Sequence, residues 1–243
     1  CRYVLTDDGS GFASREMSEL IKTKHVAFRP IDVKMGPDGA IYIADWYNPI
    51  IQHGEVDFRD PRRDHTHGRI WRVTYKGRPL VKRPNLVKAS TPELLKQLAS
   101  PEGWTRQQAK RVLKERGAKE VLPELPKWVA SLKQNDPLIN RHRLEGLWMF
   151  EALLDTNAFL LTRLLRSDDA RVRAGATRVL ARNPGVVGDV AGVLSRQAVD
   201  DNPRVRLEAV RALAARHLPQ PWWAAAVRSL DFSKPFVSTT WVR

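Results

Sequence analysis

The sequence predicts a two-part fold: an all-β region with the strand pattern of a β-propeller blade over residues 1–85, then an α-solenoid of helix pairs over residues 86–243. Three observations predict it. Apolar and polar residues alternate through much of the first 80 positions, the period of half-buried strands. From about residue 86 the apolar residues return every three or four positions, the period of an amphipathic helix. A nine-residue segment then recurs four times in that second part, which marks a repeat architecture.

In chain order, "RYVLT" (2–6) reads as a short strand before a loop holding "DDGSG". "IDVKM" (31–35) sets Ile31, Val33 and Met35 on one side and Asp32 and Lys34 on the other. In "GPDG" (36–39) Pro37 suits the second position of a turn, and Gly39 can take a positive φ. "AIYIADW" (40–46) resumes the alternation with Ile41 and Ile43 on one face, so the two strands make a hairpin. "GRIWRVTY" (68–75) supplies a further strand, with Ile70 and Arg72 opposite Arg69, Trp71, Val73 and Tyr75. Strand, tight turn, strand, strand is the order of a propeller blade, and one blade cannot stand alone because propellers close by radial repetition.

The helical part opens at "STPELLKQLAS" with Thr91 as N-cap, Pro92 at the first helical position and Glu93 in the first turn. The repeated segments are "TRQQAKRVL" (105–113), "HRLEGLWMF" (142–150), "VRAGATRVL" (172–180) and "VRLEAVRAL" (205–213). Each has arginine at its second place (Arg106, Arg143, Arg173, Arg206) and a small residue at its fifth (Ala109, Gly146, Ala176, Ala209). The small residue admits a close neighbour helix, and the arginine is expected to pair with an Asp of an adjacent turn. "DARVRAGA" (169–176) and "NPRVRLEA" (202–209) resemble the second helix of HEAT repeats, helix pairs that bury their apolar faces only by stacking on one another. "PWWAAAVRSLD" (221–231) reads as the start of a further helix. Trp128, Trp148, Trp222 and Trp223 fall in helical segments and are read as packing between repeats, and the isolated His25, His142 and His217 as structural.

The net charge of +14 invites a nucleic-acid partner. Beyond residue 85, however, the 26 basic and 16 acidic residues fall at helical spacing among Ala and Leu. That is the pattern of a solvated helix face, and it disfavours nucleic acid. No apolar run approaches the roughly 18 residues of a membrane span. The single cysteine excludes an internal disulfide framework and a CxxCH haem attachment within these residues. Residue 1 is Cys rather than Met, so the chain reads as a fragment whose targeting signal would lie upstream.

The densest polar stretch is "DFRDPRRDHTH" (57–67). His53, Asp64, His65 and His67 form the one close His/Asp cluster, a candidate metal site. His65 and His67, two apart, would share one side of an extended segment, and with Asp64 they are the candidates for general acid–base work. Against this, Asp57, Asp60 and Asp64 alternate with Arg59, Arg62 and Arg63. Charges so placed pair locally and brace the loop, which favours a structural role.

From "LTDDGSG" through "FRPIDVKMGPDGAIYIADWYNPIIQHGEVDFRDPRRDHTHGRIWRVTY" the chain resembles the PVC-type haem-binding or membrane-bound dehydrogenase family, whose propeller is related to glucose/sorbosone dehydrogenases and is followed by HEAT repeats. Arg29, Pro30, Pro37, Asp38, Gly39, Asp45, Gly68, Arg69, Ile70, Arg72 and Val73 carry the resemblance, and residues 47–67 stand where the simpler enzymes have a short turn.

The resemblance implies an extracytoplasmic, quinoprotein-like dehydrogenase of sugars or alcohols, with the repeats as a docking or spacer arm for a protein partner or neighbouring domain. It implies pyrroloquinoline quinone and calcium as cofactors of the intact parent, with haem c on a segment absent here. Arg29, Asp45 and Arg69 become the candidates for holding the quinone and its ion. Trp46 and Tyr47 border the insertion and would line a sugar pocket or pack the core. It supplies no catalytic base, so this chain alone is expected to be inactive. Two further classes stay open: a non-enzymatic interaction module, and a nucleic-acid-binding repeat protein.

Overall fold

The computed structural model describes residues 1–50 and 59–214. His53, Asp57, His217, Trp222, Trp223 and the helix expected over 221–231 lie outside the described residues.

Among the described residues five strands make two separate sheets. β1 (Arg2–Asp8) and β2 (Gly11–Met17) form an antiparallel hairpin, and β3 (Pro30–Met35), β4 (Ile41–Asp45) and β5 (Arg69–Val73) form an antiparallel meander in the order β3-β4-β5. "DDGSG" is therefore the turn of a hairpin, in which Gly9 at φ 55° reverses the chain. Asp8 pairs Gly11, and the register runs back to Arg2 opposite Met17.

This corrects the expected fold class. A blade carries four strands around a shared channel, whereas the strand read as its opening member spends its hydrogen bonds on residues 11–17, within its own hairpin. The described residues contain no barrel or propeller. A propeller-blade region joined to a HEAT-type solenoid is replaced by a mixed α/β fold of two small sheets and nine α-helices among the described residues.

The β3–β4 turn follows the expected chemistry: the Gly39 N–H donates to the Gly36 carbonyl at 3.2 Å, and Gly39 takes φ 75°. Val33 faces Ile43, and Ile43 faces Trp71, so Val33, Ile43 and Trp71 share one side of the meander, with Met35, Ile41 and Val73 beside them. On the other side Asp38 accepts from the Tyr42 hydroxyl at 3.0 Å and from the Arg72 guanidinium at 2.5 and 3.0 Å. The Val81 N–H donates to the Asp38 carbonyl at 2.9 Å and ties the segment leading to the helices onto the sheet.

The helices are α1 (Thr91–Gln97), α2 (Gly103–Arg116), α3 (Ala118–Val121), α4 (Leu125–Ser131), α5 (Ile139–Ala152), α6 (Ala158–Leu164), α7 (Ala170–Arg182), α8 (Val190–Ala198) and α9 (Pro203–Ala214). The N-cap of α1 is Ser90, one residue before the expected Thr91; the Glu93 carboxylate accepts from the Ser90 N–H and hydroxyl, both at 2.7 Å. Thr91 is buried instead, its hydroxyl donating to Glu120 and accepting from Arg116. α1 packs on α2, α4 on α5, α6 on α7 and α8 on α9, while α2, α5, α7 and α9 also pack in succession.

The core lies in this stack: Leu94, Leu113, Leu147, Leu161, Leu180 and Leu194 are fully buried, each contributing about 1.5–3 kcal/mol. Ala109, Ala176 and Ala209, the fifth places of their segments, are fully buried as well. A Cβ on Gly146 would meet Val129 at 2.9 Å and Trp128 at 3.2 Å, so α4 and α5 approach as closely as they do because that side chain is missing.

Candidate functional site

The residues singled out in the β part gather at the end of the meander where β4 stops and β5 starts. Asp45, last in β4, is buried. Its Oδ1 accepts from the Arg29 N–H at 2.7 Å and the Tyr47 N–H at 3.0 Å, and its Oδ2 from the Trp71 indole N–H at 2.9 Å. Burial pushes the carboxyl up, but these three donors together hold it below the usual carboxylate range. Asp45 thus closes the turn into "WYNP" and locks three segments together.

That turn sets Tyr47 at φ 54°. The Arg69 guanidinium lies 3.7 Å above the Tyr47 ring, the His25 ring stacks on it at 5.5 Å, and the His67 ring meets it edge-on at 6.3 Å. Tyr47 is the hub that the sequence reading missed as such. Its position after a strand-ending Asp was the available signal, since an Asx-type turn throws the following side chain out of strand alternation.

Arg29 does not point into an open site. Its Nη1 donates to its neighbour's carbonyl, Phe28 O, at 2.9 Å, and its Nη2 approaches Pro49 O at 3.5 Å. Asp64 gathers a local knot: Oδ1 accepts from the Thr66 N–H at 2.9 Å and the His67 N–H at 3.0 Å, and the His67 Nδ1 lies 2.9 Å from Oδ2. The Thr66 N–H above all, together with His67, pulls the Asp64 carboxyl down to about 2. His65 is exposed and its ring takes no part in that knot. Asp60 pairs with Arg62 through contacts of 2.9 and 2.7 Å, and Arg62 draws its carboxyl down to about 2. The structure thus joins Asp45, Arg69 and His67 around Tyr47, ties Asp64 to His67, and leaves His65 outside.

A quinone with its calcium ion needs cationic clamps and a set of free oxygen ligands. These residues do not fit that group. Arg29 is turned onto backbone carbonyls, Arg69 onto an aromatic ring, and the Asp45 oxygens face N–H donors. Among the described residues no three His, Cys, Asp or Glu side chains come together to hold a metal ion. The described residues thus form neither the propeller nor the quinone cradle that the dehydrogenase expected from the sequence would use.

The repeated arginines act mainly inside their own repeats. Arg106, Arg173 and Arg206 each turn Nη1 back onto two carbonyls of the turn before their helix: Ser100 and Pro101, Ser167 and Asp168, Asp200 and Asp201. The expected pairing with an Asp of the next turn occurs at Arg173, which meets Asp200 at 2.7 and 2.8 Å. Arg106 meets the buried Glu145 of α5 at 3.3 Å, and Lys110 reaches the same carboxylate at 2.7 Å. Arg178 pairs with the buried Glu208, and Arg182 with Glu151 at 2.7 Å. Arg106, Lys110, Arg173, Arg178 and Arg182 thus join one repeat to the next through ion pairs.

Fold and site together define a mixed α/β protein with a braced sheet end and a stack of helix pairs. A family model described as a domain of unknown function (DUF7133) matches residues 1–77, which holds both sheets. No curated protein matches the chain. Two crystal structures of engineered proteins from the Northeast Structural Genomics Consortium are similar at 23% identity. One match covers 57% of this chain and 67% of its own with a TM-score of 0.34; the other covers 58% and 69% with 0.37. At those scores neither bears on fold or function.

Proposed function

We propose that the chain is a protein-binding module in which edge strand β3 accepts an extended strand from a partner and the helix stack serves as a rigid arm. The carrying observation is β3 itself. All six of its residues are exposed, including Ile31, Val33 and Met35, although the strand belongs to a three-stranded sheet. Its outer edge has no neighbour among the described residues. An edge with unpaired backbone groups and alternating apolar side chains is the template for strand addition. The Val33 N–H lies on that edge and donates to the Asp32 side chain at 2.9 Å instead of to the ladder. The excess of 41 basic over 27 acidic residues favours a partner strand with acidic flanks. No described helix is long and apolar enough to cross a membrane.

The test is fluorescence anisotropy with a labelled ten-residue peptide of alternating Val and Thr flanked by Glu. Saturable binding is expected, weakened by salt and lost at least tenfold in Val33→Pro. That variant deletes the outward donor at an edge position where proline is tolerated. Binding indifferent to Val33→Pro, or pairing of β3 with a second copy seen by sedimentation, overturns the proposal.

A further inference from the structure

Arg143 breaks the pattern of its three counterparts. It sits at the second place of α5's segment and only 5% of it is exposed, yet its Nη1 and Nη2 donate to neutral amide oxygens, Asn140 Oδ1 at 3.1 Å and Gln134 Oε1 at 2.8 Å. No carboxylate answers it among the described residues. Burial, and after it the nearby Arg163 charge, push its pKa below the ordinary value, and no acidic group opposes them. A buried cation without a counter-charge is costly. A guanidinium has five N–H donors, so two hydrogen bonds leave three unused.

Beside it lies a cavity of about 250 Å³ between α4, α5 and α6, lined by Arg143 and Arg163 and walled by Val129, Phe150, Phe159 and Leu160. Phe159 and Arg163 are four residues apart on α6 and so share one face, and the Phe159 ring is exposed. Two cations thus converge on a small space whose other walls are apolar apart from Gln134 and Asn157, with an uncovered ring beside it.

We propose that this cavity binds a small organic carboxylate, an aromatic or branched aliphatic group against Phe159, Phe150 and Val129 with its carboxylate between Arg143 and Arg163. The planar guanidinium fork matches a two-oxygen acid. The apolar walls call for an apolar body, and the volume, below the usual range for drug-sized ligands, limits that body to about one ring. The acid is either a free metabolite or the last residue of a peptide chain. No residue of β3 lines the site, and the proposal is independent of the strand-binding reading.

The test is calorimetric titration of the whole chain with 3-phenylpropionate, with N-acetylphenylalanine as the stand-in for a chain terminus. Saturable binding with a Kd on the order of 1 mM or tighter is expected. 3-Phenylpropanol, the same body without the charge, should bind at least tenfold more weakly. Arg163→Gln, at an exposed position, should weaken the acid at least tenfold with circular dichroism unchanged. Tighter binding of N-acetylphenylalanine assigns the site to a peptide terminus, and the reverse order to a free acid. The proposal fails if neither acid binds, if the alcohol binds equally, if inorganic phosphate binds as tightly as the acids, or if Arg163→Gln leaves affinity unchanged.

Discussion

Two arginine–aspartate pairs with nearly the same geometry should differ severalfold in their contribution to stability, because one is buried and the other is not. Arg173 meets Asp200 through Nε and Nη2 at 2.7 and 2.8 Å, with 19% and 11% of the two side chains exposed. Arg171 meets Asp169 through the same two nitrogens at 3.0 and 2.8 Å, but 88% of its side chain is exposed. Arg173→Gln removes two charge-assisted hydrogen bonds across α7 and the turn before α9. It also frees the Ser167 and Asp168 carbonyls and leaves the Asp200 side chain with the Asn202 N–H at 2.8 Å. Hydrogen bonds to charged groups are worth about 1.5–3 kcal/mol each, and removing one partner of a buried pair costs about 3–5 kcal/mol. The residual solvent contact of both side chains places the loss near the lower end, about 3 kcal/mol. Arg171→Gln should cost less than about 1 kcal/mol. At about 2–4 °C per kcal/mol for a chain of this size, the melting shifts are about 6–12 °C and at most about 4 °C. Urea unfolding followed at 222 nm reads both, and a cycle with Asp200→Asn should return a coupling of about 2 kcal/mol. Equal losses for the two arginines would refute the argument that burial, rather than bidentate geometry, sets the strength of these pairs.

Two further outcomes follow from backbone strain and from charge. Leu154, just after α5, has φ 61° and an exposed side chain, so Leu154→Gly relieves a left-handed residue that packs nothing. It should raise stability by about 0.5–1 kcal/mol in thermal melts, and a lower melting temperature would show that the residue is not held left-handed. Asp45 sits below its ordinary range, so its contribution is complete above the unfolded value of about 3.9 and is lost as pH falls through the lower folded value. The Trp71 indole N–H resonance, which reports the bond to Asp45 Oδ2, should hold steady from pH 7 to about 5 and move only below about 4. A midpoint above 4 would contradict the three-donor account.

Local pattern made the meander legible. The alternation of Ile41 with Tyr42 and of Ile70 with Trp71, and the positive φ at Gly39, follow from residue chemistry within a few positions of each element. The partner of β1 was not legible as a strand. "GFASREM" lacks clean alternation and β-branched residues, and its pairing is set by the turn at Gly9 rather than by a buried face, since five of its seven residues are exposed. The propeller expectation failed for a related reason: strand order is a local property, whereas closure needs contacts between distant segments. At the site, residue types were legible and partners were not. Asp64 and His67 meet as their spacing allows, but nothing local announces that Asp45 will face the Trp71 indole 26 positions away. The Arg143 cavity left one readable mark. Six places before Arg106, Arg173 and Arg206 stand Ser100, Ser167 and Asp200, whereas six before Arg143 stands Pro137.

The reason Arg143 has no carboxylate can be followed through the repeat itself. The fourth places of the four segments are Gln108, Glu145, Gly175 and Glu208. Glu145 receives Arg106 and Lys110 from the segment before it, and Glu208 receives Arg178 from the segment before it. By the same register the fourth place of the third segment would serve the second segment, and it is Gly175. A Cβ there would stand 2.8 and 3.2 Å from the Leu144 methyls and 3.4 Å from the Trp148 ring. α5 and α7 therefore pack too closely for a side chain at that place, and the junction takes its ion pair at the far end, between Glu151 and Arg182. Close packing at Gly175 thus leaves Arg143 without the fourth-place acid that Arg106 finds in Glu145. Where the register supplies Glu145 or Glu208 a cation of the preceding segment is answered, and where it supplies Gly175 Arg143 lines a cavity, so an anion from outside the chain, as proposed, completes the pattern there.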